Sequence, residues 1–162
     1  AVDLDARVAA VELKFRPFPP ADEAQRELQR LQAELEALKA AGAAHGEIRK
    51  ATTRVEGAMG QLMIAQTFAG RTHHSSQVQL LQIGDLALVG LPGEPFTRTV
   101  LEIKEQSTYP YTAVLSYAND EQGYFPDAVS IASETYEALI SPYGADVADG
   151  LRTVALSLMR KG

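Results

Sequence analysis

Cysteine is absent from the sequence. Disulfides and thiolate-held metals are therefore excluded, while the redox compartment stays open. Histidine is scarce: His45, His73 and His74 are the complete set. Positive charge is also in deficit. The net charge is −6 and no basic run of five appears, so the clustered Lys and Arg needed to bind a phosphate backbone are missing and a nucleic-acid role is not expected. No apolar run approaches the ~18 residues of a membrane span, so no transmembrane segment is expected. No signal-peptide pattern opens the sequence as given, and its first residue is Ala rather than Met. The expectation from that start is a removed leader or a piece of a longer product.

Apolar residues are plentiful, at 46% of 162, enough for a substantial core in one domain spanning residues 1–162. Residues 7–15 alternate, with Val11, Leu13 and Phe15 on one face, which is strand spacing. Three prolines in residues 16–22 break it. Leu28, Leu31, Leu35 and Leu38 then form a helical stripe. A second helix is expected over residues 47–69, with Ile48, Val55, Met59 and Leu62 on one side. The repeat is too short for a coiled coil, so residues 22–69 read as an inserted antiparallel helical hairpin.

Residues 70–77, "GRTHHSSQ", read as a loop, and residues 78–84 and 86–91 as strands. In the second strand both alternating faces are apolar, the pattern of a strand covered on both sides. Phe96, Val100 and Ile103 give helical spacing, residues 112–117 a further strand, and residues 118–127 a turn. Helices are expected over residues 130–140 and 145–160, the last with Val147, Leu151, Val154 and Leu158 inward. The order predicts a mixed α/β fold, a β-sheet covered by helices, with residues 78–162 as its core.

At the joint of strand and helix stands "LPGEPF", residues 91–96. Pro-Gly supplies the pair favoured in a type II turn. Glu94 then sits at the carboxyl end of a strand, where open α/β sheets bind ligands. Its carboxylate could equally do no more than complement the dipole of the following helix, for about 0.3–1 kcal/mol. His45 lies beside Gly46 between the helices and reads as solvated. His73 and His74 are adjacent, so on a strand they would face opposite ways and could not readily chelate one ion; a solvent loop is the plainer reading. Asp85, Asp120 and Asp127 lie in turn contexts, where Asp serves backbone hydrogen bonding. Tyr124, among Gly123, Phe125 and Pro126, could simply plug a loop, and Tyr136 could pack on a helix's inner face.

The ordered motifs "GDLALVGLPGEPF", "SYANDEQGYFPD" and "SETYEALIS" resemble the second half of the catalytic domain of the neutral (non-lysosomal) ceramidase family. The resemblance covers about residues 78–162 and is closest to its short bacterial relatives. It implies a zinc-dependent hydrolase of the N-acyl amide bond. Glu94, in the Pro-Gly-Glu turn, and Tyr124, closing Asn-x-x-x-x-Tyr, would be metal ligands. Tyr136, of the Tyr-Glu pair, would meet the substrate carbonyl. Zinc accepts N and O ligands and lowers the pKa of a bound water toward ~7, and a phenol near its usual pKa of ~10 needs the metal's charge to ligate.

The family's two zinc histidines and a substrate-orienting arginine belong to the upstream half, and none of the three histidines here matches them. The isolated chain is therefore expected to be inactive, with zinc absent or weakly bound, and to require the upstream half as partner, in the same parent chain or a second polypeptide. An exposed apolar seam should mark where that half packs. Phe125-Pro126-Asp127 replaces the family's threonines, so the substrate is better given as an N-acyl amide or lipid-like molecule than as ceramide. By resemblance the protein would be soluble, secreted or membrane-peripheral. The competing reading is a non-catalytic scaffold whose Leu-striped hairpin docks a partner. Convergence of Glu94 and Tyr124 separates the two.

Overall fold

A computed structural model describes residues 2–160. A long strand β1 (Leu4–Lys14) leads into helices α1 (Ala21–Ala40) and α2 (His45–Thr67). Strands β2 (His73–Ile83) and β3 (Leu86–Gly90) follow, then the two-residue β4 (Glu94–Pro95) and helix α3 (Thr97–Glu105). The chain continues through β5 (Tyr111–Leu115), β6 (Tyr124–Phe125), short helices α4 (Ala128–Ala132) and α5 (Tyr136–Leu139), and α6 (Asp146–Met159). The main sheet has the order β1-β2-β3-β5. Its first two pairings are antiparallel and β3–β5 is parallel, as a strand–helix–strand connection through α3 requires. The class is mixed α/β, as expected, and no described helix is long and apolar enough to cross a membrane.

One face of the sheet makes the main core. Leu13, Val78, Leu80, Ala87 and Val89 are buried there against Ile103 of α3 and Leu151, Ala155 and Met159 of α6. On α6 the fully buried line runs Val147, Leu151, Ala155, Met159, at i+4 steps; Val154 and Leu158, expected inward, only flank it. Spacing of large residues picks out Val154 and Leu158, whereas the structure buries the small Ala155 in that line. The opposite face of β3 is not fully covered: Leu86 and Leu88 are half-buried, against the expectation of cover on both sides.

The hairpin has its own core of Leu28, Leu31 and Leu35 against Ala51, Val55 and Ala58. Met59 points outward, 55% exposed, because Ala58 and Leu62 occupy the seam instead. Two glycines on α2 let α5 approach: a Cβ on Gly57 would stand 2.8 Å from Leu139 Cδ1, and one on Gly60 2.6 Å from Ile140 Cγ2.

Residues 73–77 are strand and not loop. They pair with β1 from Lys14↔His73 to Ala10↔Gln77, and their polar side chains find partners across the ladder, Ser75 Oγ donating to Glu12 at 2.5 Å. Pairing with a long neighbour overrides turn-like composition. The single helix expected over 130–140 is two, because Glu134 adopts φ 51°, a left-handed conformation that costs a side-chain-bearing residue about 1–2 kcal/mol and cannot continue a helix.

Candidate functional site

Beyond β3 the backbone is sewn to the segment that follows β5. Leu91 N–H donates to Leu115 O, Ala118 N–H to Leu91 O, Tyr117 N–H to Gly93 O, Gln122 N–H to Pro92 O, and Glu94 N–H to Gly123 O. Gly93 has no positive φ, so the expected type II turn is not formed. Glycine is required there for room: a Cβ would lie 2.5 Å from Gly123 O and 2.7 Å from the Phe125 ring. This approach lets β4 and β6 pair as a parallel two-residue ladder with Glu94 opposite Tyr124 and Pro95 opposite Phe125. Residues in register on such a ladder share a face. Glu94 and Tyr124 therefore stand side by side.

The dipole role considered for Glu94 does not hold. Helix α3 starts at Thr97 after Phe96 and has no acid in its first turn. The loop-plugging aromatic is Phe125, fully buried with its ring centroid 5.3 Å from that of Tyr143, whereas Tyr124 is half-exposed. Core packing for Tyr136 is likewise excluded, since it opens α5 with 42% exposure.

Electrostatics tie the patch together. The Tyr117 hydroxyl donates to Glu94 Oε2 at 2.8 Å. That bond, with burial and the Glu94 charge behind it, pushes the Tyr117 phenol up to about 12. The Glu94 charge is also the main reason the Tyr124 phenol is raised, followed by burial, Glu137 and Tyr136. Tyr117 was missed in the sequence, although its place at the end of an expected strand, just before a turn, was a usable signal. It holds φ 53°, with Asn119 at φ 67° behind it, and strained residues of this kind gather at functional sites.

The loop bearing Tyr117 and Tyr124 is pinned to β2 through Asp120. Ser76 Oγ donates to its Oδ2 at 2.6 Å and His74 Nε2 lies 3.1 Å from the same oxygen. Gln122 Nε2 and the Glu121 N–H serve Oδ1 at 2.8 and 2.9 Å. The buried Tyr143 hydroxyl donates in turn to Gln122 Oε1. Burial works to raise the Asp120 pKa, but these bonds outweigh it and hold the carboxyl at about 2. Asp120 thus does more than cap its own turn. Asp127 matches the turn reading, its Oδ1 accepting from Ser130 N–H and Oγ at the start of α4.

Among the described residues no histidine is hydrogen-bonded to Glu94, whose side-chain partner is Tyr117. His73 faces Glu12 at 3.0 Å and His74 faces Asp120, so the pair does diverge as strand geometry demands. His45, the first residue of α2, is exposed. No group of three or more His, Asp or Glu suited to a metal exists among the described residues. Glu94 and Tyr124 offer two oxygen donors, half of a tetrahedral zinc set.

No protein-family model matches the chain, and no curated protein does. Among solved structures it is similar to neutral ceramidase from Pseudomonas aeruginosa, with a TM-score of 0.51 and 19% identity over 97% of this chain and 28% of that one. It is also similar to a ceramidase complexed with C2, with a TM-score of 0.51 and 14% identity over 99% of this chain and 31% of that one. The likeness is one of fold, and the chain spans about a third or less of the length of either structure.

Proposed function

We propose that this chain is the distal part of a zinc-dependent amide hydrolase of the neutral-ceramidase kind, residues 1–162 forming one domain that completes its site with an upstream, histidine-bearing half. The observation that carries the proposal is the β4–β6 register, which seats Glu94 beside Tyr124. Likeness of fold to ceramidases over nearly the whole chain supports it.

In this reading Glu94 and Tyr124 would be the residues of this chain that hold the metal. Zinc, when bound, supplies Lewis acidity and a water of lowered pKa. The chain's own residues prepare that site. Tyr117 fixes the Glu94 carboxylate through Oε2. The Glu94 charge raises the Tyr124 pKa and so favours the protonated phenol, and a bound cation would favour the phenolate instead. Tyr136, solvent-facing beside Tyr124, donates to the acyl carbonyl oxygen of an N-acyl amide and stabilises the charge that develops there. A lipid-like acyl chain is the substrate class that the ceramidase likeness suggests.

Metal content and hydrolysis of an N-acyl amide, measured on this chain combined with the upstream half, test the proposal. Glu94→Ala and Tyr124→Phe should lose zinc. Tyr136→Phe should keep it while the rate falls by ~10²–10³, the usual cost of one oxyanion donor. Full zinc occupancy in Glu94→Ala would overturn it. The chain alone should be inactive. As for the scaffold reading, the leucine stripe is consumed inside the hairpin, leaving Met59 and Met63 as its exposed large apolar side chains.

A further inference from the structure

Two side chains of β2 moor the loop that carries Tyr117 and leads to Tyr124. Ser76 and His74 both reach Oδ2 of Asp120, and of the two only the imidazole can change charge near neutral pH. His74 has a second partner on its far side, where Nδ1 lies 3.3 Å from Nη2 of Arg71. A guanidinium donates and never accepts, so Nδ1 must be the bare, accepting nitrogen. Nε2 then carries the hydrogen and donates to Asp120 at 3.1 Å. Together the two neighbours specify a neutral ring and its tautomer.

Arg71 belongs to the base of the hairpin. Its N–H donates to Phe68 O just past α2. Its guanidinium sits 5.3 Å from the Phe68 ring centroid and 5.5 Å from that of Phe15, and those rings pack on each other at 4.6 Å. His74 therefore stands between the hairpin base and the site loop, bonded to both. The charged and titratable groups around it keep their own states across the range in which an imidazole titrates. Asp120 is held at about 2. Tyr143, whose hydroxyl bonds to Gln122, is raised by burial and by the Asp120 charge. Opposite His74 on β1 stands Leu13, and α6 brings Val147, Leu151 and Ala155 to this core. Glu12 engages His73, which diverges from His74 across the strand.

We infer that His74 is a proton-operated coupling between the helical hairpin and the site loop: neutral, it holds Arg71 and Asp120 at once, and protonated, it releases Arg71 and keeps Asp120. A hydrogen on Nδ1 removes the acceptor that Arg71 uses and sets two cations against each other. At Nε2 the same proton turns the bond to Asp120 into an ion pair, the stronger kind. The opposite charges of Arg71 and Asp120 lie at similar distances, 3.3 and 3.1 Å, so their long-range effects on the ring nearly offset. Hydrogen bonding then decides, and the long Arg71 side chain is the part that yields. Acidification through pH ~8 to ~5 thus firms the mooring under Tyr117 and Tyr124 while it frees the hairpin base. The inference adds regulation to the proposed site, and it rests on that reading only for what the loop carries.

Nuclear magnetic resonance on the nitrogen-labelled chain tests it. Long-range proton–nitrogen spectra follow Nδ1 of His74, assigned with His45→Gln and His73→Gln, while the Arg71 guanidinium signals are followed in the same samples from pH ~8 to ~5. The expected result is one shared midpoint: Arg71 leaves its bound position as Nδ1 gains its proton. His74→Gln offers the same acceptor and donor without titrating, so its Arg71 signals should stay in place throughout. At the acid end, the amides of Tyr117 and Gln122, which bond to Gly93 and Pro92, should exchange roughly fivefold more slowly in the parent than in His74→Gln, as a charge-assisted bond replaces a neutral one. If that variant does not fold, the shared midpoint in the parent decides alone. An Arg71 that stays bound while Nδ1 is protonated, a response that persists in His74→Gln, or an Nδ1 already protonated at the alkaline end each overturns the inference. Zinc content, measured with the upstream half, bears on the proposed function only. A zinc-free complex with the shared midpoint sinks that function and leaves the coupling standing, and a zinc-loaded one with Arg71 unmoved does the reverse.

Discussion

Tyr117 gives its hydroxyl hydrogen to Oε2 of Glu94 at 2.8 Å, joining the loop after β5 to the first residue of β4. Because the bond holds the phenol protonated, Tyr117 titrates at about 12. The folded value lies above the ordinary ~10. Whatever stability the bond provides is therefore complete below pH ~10 and disappears as pH climbs through about 12. In Glu94→Gln the charge is gone. Phenolate absorbance near 295 nm should then show Tyr117 and Tyr124 titrating lower than in the parent chain; unchanged curves would mean the carboxylate does not govern them.

Gly93 is the spacer that permits the β4–β6 ladder. The Cβ of Gly93→Ala would meet a backbone oxygen and an aromatic ring at 2.5 and 2.7 Å, and neither can swing away cheaply. Overpacking of this kind costs about 1–3 kcal/mol. Urea denaturation of the variant should show a loss in that range. A loss near zero would mean that the Gly123 carbonyl yields more easily than its bond from Glu94 N–H suggests.

Asp120 anchors the same loop from the other side. Its folded pKa of about 2 lies below the ordinary carboxyl value, so its contribution is present above pH ~4 and is lost as pH falls through about 2. Denaturation midpoints should decline over that window in the parent chain. In Asp120→Asn they should be lower at neutral pH and decline less. Because Ser76 and His74 share its Oδ2, Ser76→Ala should weaken the anchor while leaving His74 in place.

Leu151 is fully buried between α6 and the sheet. Leu151→Ala should cost about 2–5 kcal/mol in the same assay. A smaller loss would mean that α6 settles onto the strands to close the cavity.

Several elements were legible because their signals are local. The strand containing Val11 and Leu13, the leucine stripe of α1 and the mixed α/β class all follow from periodicity, and they stand in the structure. The readings that failed depended on partners distant in sequence. His73–Gln77 looked like a loop until β1 supplied a ladder. Gly93 looked like a turn glycine, but its need is set by Gly123 and Phe125. The break at Glu134 had no Gly or Pro to announce it.

By itself the sequence determined which residue types were available: no thiolate, three histidines, and a carboxylate and phenol in recognisable motifs. It also set the amphipathic faces that choose helix or strand. Only the tertiary structure decided which of those groups meet. Register is a property of two segments at once, and the pairing of Glu94 with Tyr124 exists because β4 and β6, separated by a helix, a strand and a strained loop, are held together by backbone bonds that no local pattern encodes.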